Sequence, residues 1–207
     1  MKSLQITNSK INWLVVIVLA ALLQACGTAP TASNTSATSA PVAVFDESAY
    51  QSALRLMKKD KYEEAAASLE ELARTDSERA GPYINLGIAY RKLDKLEEAK
   101  QALLIATERR GGNAIAWNEL GIVYRKMGQF ENARDAYRKS IRKRARYGKA
   151  YLNLGILCDI YLEDLKCAMR NYRKFLDVSI DKEGDKQVGI WLADVSRRAG
   201  KPLEKKK

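Results

Sequence analysis

The chain has 207 residues, with 36 Lys and Arg against 25 Asp and Glu, three cysteines and no histidine. Without an imidazole there is no His-activated serine or cysteine nucleophile and no His-ligated metal, while 46% hydrophobic and 29% charged residues argue against wholesale disorder. The net charge of +11 favours anionic partners and says nothing about fold.

Residues 1–25 have the parts of a secretory signal. Lys2 and Lys10 form a positive start, and Ile11 to Leu23 is an almost wholly apolar run of 13 residues. A spanning helix needs about 20, so this run has the length of a signal core. Leu23-Gln24-Ala25-Cys26 follows. The segment resembles the bacterial lipobox, in which signal peptidase II cuts before the cysteine; the competing reading is an ordinary signal peptide or an uncleaved anchor. The resemblance implies a lipoprotein with acyl chains such as palmitate on Cys26, lost positives at Lys2 and Lys10, and membrane attachment through that residue. In the same family an Asp after the cysteine retains the protein in the inner membrane. Gly27 therefore implies the periplasmic face of the outer membrane.

Residues 26–45 then read as the lipidated cysteine and a linker. Gly27 to Ala43 holds 17 residues without charge or aromatic side chain, too polar and too small to bury a core. As a flexible tether it reaches about 23 Å.

From Asp46 onward the chain repeats every 34 residues. Trp117, Leu120, Gly121, Tyr124, Ala133 and Tyr137 are matched 34 positions earlier by Tyr83, Leu86, Gly87, Tyr90, Ala99 and Leu103. Thirty-four positions later stand Tyr151, Leu154 and Gly155, with Cys158 in the place of Tyr. This spacing is similar to the tetratricopeptide repeat (TPR) pattern of Gram-negative TPR lipoproteins, a helix–turn–helix unit stacked into arrays. The resemblance implies an all-α TPR solenoid, a right-handed superhelix, with repeats at 46–79, 80–113, 114–147 and 148–182. Repeat one is degenerate, with Ala53 for the glycine and Leu56 for the tyrosine. In repeat four Ala168 and Tyr172 fall one residue late, which predicts an insertion in the turn. Gly111-Gly112 closes repeat two. Val188, Trp191, Leu192 and Val195 share one stripe and predict a capping helix within 183–200. A basic tail, 201–207, ends the chain.

By the same resemblance the partner groove is lined from the first helix of each repeat. Repeat two contributes Asn85, Ile88 and Arg91, repeat three Asn118, Glu119, Ile122 and Arg125, and repeat four Asn153 and Ile156. Amides, apolar pockets and cations in alternation suit an extended or helical peptide; the alternative is a solvated face without a ligand. The clamp of chaperone-binding TPR proteins is not matched, since only Asn85 agrees and Tyr50, Leu54, Ile115 and Glu119 occupy its other places.

Repeat three carries nine Lys and Arg against three Asp and Glu. Arg134, Arg138, Lys139, Arg142, Lys143, Arg144 and Arg146 form a basic patch, and Arg134, Arg138 and Arg142 stack at i, i+4, i+8, where like charges repel. The patch is either a solvated face or a site for an anionic surface; export argues against nucleic acid. Cys158 and Cys167 remain once Cys26 is acylated. They flank one turn, and the sequence leaves a disulfide and two buried thiols equally open. Two cysteines without histidine make no zinc site and no catalytic thiol pair, so neither metal nor cofactor is expected. The resulting expectation is a non-enzymatic scaffold for protein partners in envelope complex assembly, serving pili, secretion, energised transport or the cell wall. The narrower form is a pilotin for a type IV pilus secretin. The rival is a wall-glycan-binding or wall-remodelling accessory protein that uses the basic face.

Overall fold

The computed structural model describes residues 45–109, 114–180 and 182–200, with the side chains of 182–184 excepted. All of these lie in one unit, Val42–Lys207. The signal segment, Cys26, nearly all of the linker, the Gly111-Gly112 junction and the basic tail lie outside the described residues.

Among the described residues every regular element is helical. They are α1 (Glu47–Lys58), α2 (Tyr62–Thr75), α3 (Ala80–Lys92), α4 (Leu96–Glu108), α5 (Ala114–Lys126), α6 (Phe130–Lys143), α7 (Gly148–Ile156, continued by a π-helical turn Leu157–Tyr161), α8 (Leu165–Val178) and α9 (Lys182–Arg198). Odd-numbered helices up to α7 open a repeat and even-numbered ones close it. Each packs on its sequence neighbour, and α3 also touches α1 and α5, and α5 touches α7. The opening helices therefore line up on one face. This is the all-α TPR solenoid.

Local chemistry sets the ends of these helices. Asp46 caps α1 by accepting from the Ala49 amide at 2.9 Å, and Asp164 caps α8 through the Cys167 amide at 2.9 Å. Pro82 lies in the first turn of α3, where its missing N–H is not needed. Each turn inside a repeat is made by one left-handed residue: Asp60 (φ 57°), Asp94 (φ 60°), Gly128 (φ 73°) and Glu163 (φ 51°). Only the third is glycine; the other three hold a backbone form that L side chains rarely adopt.

The tight contact inside each repeat is a glycine beneath a large side chain. A Cβ on Gly87 would lie 2.5 Å from Leu103, one on Gly121 2.5 Å from Tyr137, and one on Gly155 2.6 Å from Tyr172. Ala99, Ala133 and Ala168 are each 0% exposed one turn before those side chains. Repeat one uses the pair Ala53 and Leu69, both fully buried. Each buried Leu or Tyr removes apolar surface worth about 2 kcal/mol or more.

The extra residue of repeat four lies in the helix and leaves the turn unchanged. The left-handed residues fall at 60, 94, 128 and 163, so the turn geometry is kept and only its offset grows. Lys61, Lys95 and Gln129 donate to the carbonyls of Leu56, Tyr90 and Tyr124, while Asp164 reaches one residue further back, to Cys158 at 2.8 Å. The π-helical turn Leu157–Tyr161 absorbs the insertion, as such turns commonly do.

The capping helix begins at Lys182, a little before the amphipathic stripe implied. Val188, Leu192 and Val195 are buried in the same cluster as Tyr172, Leu157 and Ala168. Arg198 on α9 pairs with Asp159, in the π-helical turn that ends the opening helix of repeat four.

Gly121→Ala should lower stability by about 1–3 kcal/mol, because the Tyr137 ring cannot retreat. Gly189→Ala, where an added Cβ meets nothing within 4 Å, should raise it by about 0.5–1 kcal/mol. Denaturant unfolding of both variants checks the pair.

Candidate functional site

The opening helices present the residues expected to line a groove, and the structure divides them in two. The polar ones other than Arg125 hold neighbouring repeats together. Asn85 donates to the Tyr50 hydroxyl at 2.7 Å and to the Gly81 carbonyl at 3.1 Å. Asn153 donates to Asn118 at 2.9 Å, Asn118 donates to Glu119 at 3.3 Å, and Arg91 meets the same carboxylate at 3.1 Å. That chain runs through repeats two, three and four. Asn118 is 1% exposed, so it is a buried linker and not a lining residue as the sequence pattern implied. The Arg91 and Glu119 side chains are also mostly buried, at 17% and 12% exposure.

Ile88, Ile122, Ile156 and Arg125 remain partly open on this face. Ile88 lines a pocket of about 740 Å³ with Ile84, Ile115, Phe45, Pro82 and Tyr50. Its rim holds Glu47, Glu78 and the Asp76–Arg79 ion pair, which is 2.7 Å long. Arg79 also lies 4.3 Å above the Phe45 ring. The pocket is therefore an apolar floor with a rim of net negative charge. Phe45 and the 76–79 junction were not read as groove residues in the sequence, because they lie outside the opening helices.

Tyr137 is fully buried, and its hydroxyl has no hydrogen-bond partner among the described residues. Burial pushes its phenol far above the ordinary range, opposed by Arg125 and Arg91 and reinforced by Glu119 and Tyr161. The equivalent Tyr172 donates to Asp159 at 3.1 Å. Its phenol is also held high, by burial first and then by the Asp159 charge.

The basic patch splits as well. Arg134 pairs with Glu131, Arg138 lies 3.9 Å from Asp135, and Lys139 sits 4.2 Å above the Trp117 ring. The i, i+4 repulsion expected along α6 is thus offset by acids one turn back. Arg144 lies 5.9 Å from the Tyr147 ring centroid. Arg142, Lys143 and Arg146 are exposed and make no ion pair among the described residues. Cys158 and Cys167 are joined by a disulfide with Cα atoms 5.8 Å apart, and both are buried. Asn171 donates to the Cys167 carbonyl at 2.8 Å.

The tetratricopeptide repeat family matches residues 78–146, covering repeats two and three. MamA of Desulfovibrio magneticus RS-1 is 21% identical over 76% of this chain and 88% of its own, with a TM-score of 0.62. YrrB, described as a TPR protein with an unusual peptide-binding site, is 18% identical over 73% of this chain and 76% of its own, at 0.57. The second TPR domain of human RPAP3, solved with an HSP70 peptide, is 22% identical over 53% of this chain and 92% of its own, at 0.51. No curated protein matches the sequence. These likenesses show the TPR fold.

Asn118→Ala should lower stability by about 1–2 kcal/mol, since Asn153 loses its acceptor and Glu119 a donor in a mostly buried seam. Chemical denaturation of the variant, with far-UV circular dichroism to confirm retained helicity, reads this directly.

Proposed function

We propose that the protein is a lipid-anchored scaffold on the periplasmic face of the outer membrane, holding protein partners during assembly of an envelope complex. The observation that carries the scaffold reading is the pocket of about 740 Å³ on the face of the opening helices, where an apolar floor meets a charged rim. Such a lining suits an anchor side chain of a partner segment, with polar groups fixing its orientation. The compartment rests on the lipobox at Leu23-Gln24-Ala25-Cys26, and a disulfide between Cys158 and Cys167 fits an oxidising environment. Peptide recognition by YrrB and RPAP3 makes the same use of the fold a reasonable reading for this chain. A pilotin for a pilus secretin is one form such a scaffold takes.

A second reading has support from Arg142, Lys143 and Arg146, which stand exposed without carboxylate partners among the described residues. That surface would let the protein rest on an anionic glycan or another anionic envelope surface, in a salt-sensitive way.

Cys26→Ala should abolish acyl labelling and release the protein from outer-membrane fractions; a variant still labelled with palmitate contradicts the anchor. Affinity purification from mild detergent should retain envelope partners that Ile88→Glu removes, with helicity kept. Arg142→Glu with Arg146→Glu should leave those partners in place. If the charge reversals remove the partners and Ile88→Glu does not, the basic face is the working surface.

A further inference from the structure

Repeats three and four place a tyrosine at the same position of the closing helix, over the same glycine, and treat its hydroxyl differently. In repeat four Tyr172 packs on Gly155, and its hydroxyl donates to the Asp159 carboxylate at 3.1 Å. The other oxygen of that carboxylate accepts from Arg198 of the capping helix. The unit is closed: one phenol and one guanidinium share one carboxylate.

In repeat three Tyr137 packs on Gly121 in the same way. The position that holds Asp159 in repeat four holds a cation here, Arg125, thirty-four residues earlier and before the extra residue of repeat four has its effect. The Tyr137 hydroxyl has no partner among the described residues, although the side chain is 0% exposed. A buried hydroxyl without an acceptor costs free energy that folding alone does not recover. Arg91, the residue at the same position of repeat two, keeps its Nε–H unpartnered and buried while its terminal nitrogen holds Glu119. Arg125 makes no ion pair among the described residues; its guanidinium carbon lies 5.8 Å from the centroid of the Tyr161 ring. Tyr161 is itself 42% exposed. The groups that act on the Tyr137 phenol besides burial are Arg125, Glu119, Arg91 and Tyr161. Glu119 is the one carboxylate in this set, and it is already engaged by Arg91 and Asn118. Two guanidinium groups and a single, already engaged carboxylate therefore make up the charged surroundings of an unpartnered phenol.

The geometry points to a carboxylate-binding site built from Tyr137 and Arg125, with Arg91 beside them, that receives an acidic side chain of a partner segment in the place Asp159 fills in repeat four. Both donors would bind the incoming group by charge-assisted hydrogen bonds, which are the stronger kind. Arg125 is partly exposed and lies near the partly exposed Tyr161 ring, so an incoming carboxylate would meet the guanidinium first and reach the buried hydroxyl as that long side chain shifts. The site is distinct from the pocket around Ile88, which has acids on its rim and would repel the same group. A partner segment with an acidic residue toward repeat three and an apolar one toward repeats one and two would satisfy both. This inference rests on the scaffold reading only for the source of the carboxylate; the test reads carboxylate binding itself, so it can fail while the partner purification succeeds.

Ligand-observed NMR on the full chain in mild detergent, at fixed ionic strength, tests it with three small probes. N-acetyl-glutamate α-amide carries a side-chain carboxylate, N-acetylglycine a chain-end carboxylate, and N-acetyl-glutamine α-amide neither. The first should bind saturably and the third should not. Tyr137→Phe should weaken the first by about ten-fold, and Arg125→Gln should abolish it. Tyr172→Phe should leave binding unchanged. Thermal unfolding gives an independent readout: Tyr137→Phe removes an unsatisfied hydroxyl and should keep or raise Tm, whereas Tyr172→Phe breaks a bond and should lower it. Equal binding of the glutamine probe, binding by N-acetylglycine alone, or binding indifferent to Tyr137→Phe would each overturn the assignment. So would a fall in Tm for Tyr137→Phe, since it would mean that the hydroxyl already has an internal partner.

Discussion

The array depends on one repeated contact, a glycine of the opening helix beneath a leucine or tyrosine of the closing one. Gly87 under Leu103, Gly121 under Tyr137 and Gly155 under Tyr172 leave no room for a methyl group. That closeness fixes the spacing of each helix pair. Each pair then buries its outer faces on the next, so the core runs as successive clusters along the stack instead of forming one centre. Repeat one manages with Ala53 over Leu69, and its outer side meets no further repeat among the described residues. The far end is covered by α9, which contributes Val188, Leu192 and Val195 to the last cluster and an arginine to Asp159.

The same contact explains how a tyrosine hydroxyl is carried toward the end of the opening helix. A leucine at that position, as in repeat two, ends in methyl groups. A tyrosine extends across the glycine and delivers its oxygen among the charged residues near the end of the opening helix. In repeat four an internal acid and the capping helix receive it. In repeat three the residue at that position is an arginine, and the oxygen is left without a partner among the described residues. In the proposed carboxylate site, stability and recognition would thus be set by one choice of residue, with the sign of the charge at one neighbouring position separating them.

Much of this is legible in the amino-acid sequence, and the exceptions have physical reasons. The 34-residue period places the helices, the glycines and the capping stripe because those positions answer to packing, which tolerates few residue types. The period also reveals the extra residue of repeat four. It does not say where the residue goes, because a π-helical turn and a longer loop leave the same offset in the sequence; the hydrogen bond from Asp164 to Cys158 decides for the helix. The groove is harder to read. An asparagine on the inner face has the same spacing whether it meets a ligand or the next repeat, and Asn118 and Asn153 meet each other. The basic run along α6 likewise conceals Glu131, which lies just before it and neutralises Arg134. Tyr137 reads as core from its spacing, and it is core; only its unpartnered oxygen marks it as more.

The central claim is that partners are held on the face of the opening helices while the anchored protein remains in the cell envelope. The most direct measurement is photocrosslinking in living cells from single positions of the intact protein, with one reporter at Ile122 on the face of the opening helices and another at Arg142 on the basic face. The account predicts a discrete crosslinked protein from Ile122 and none in common from Arg142. Crosslinks from Arg142 alone, with Ile122 silent, would contradict it.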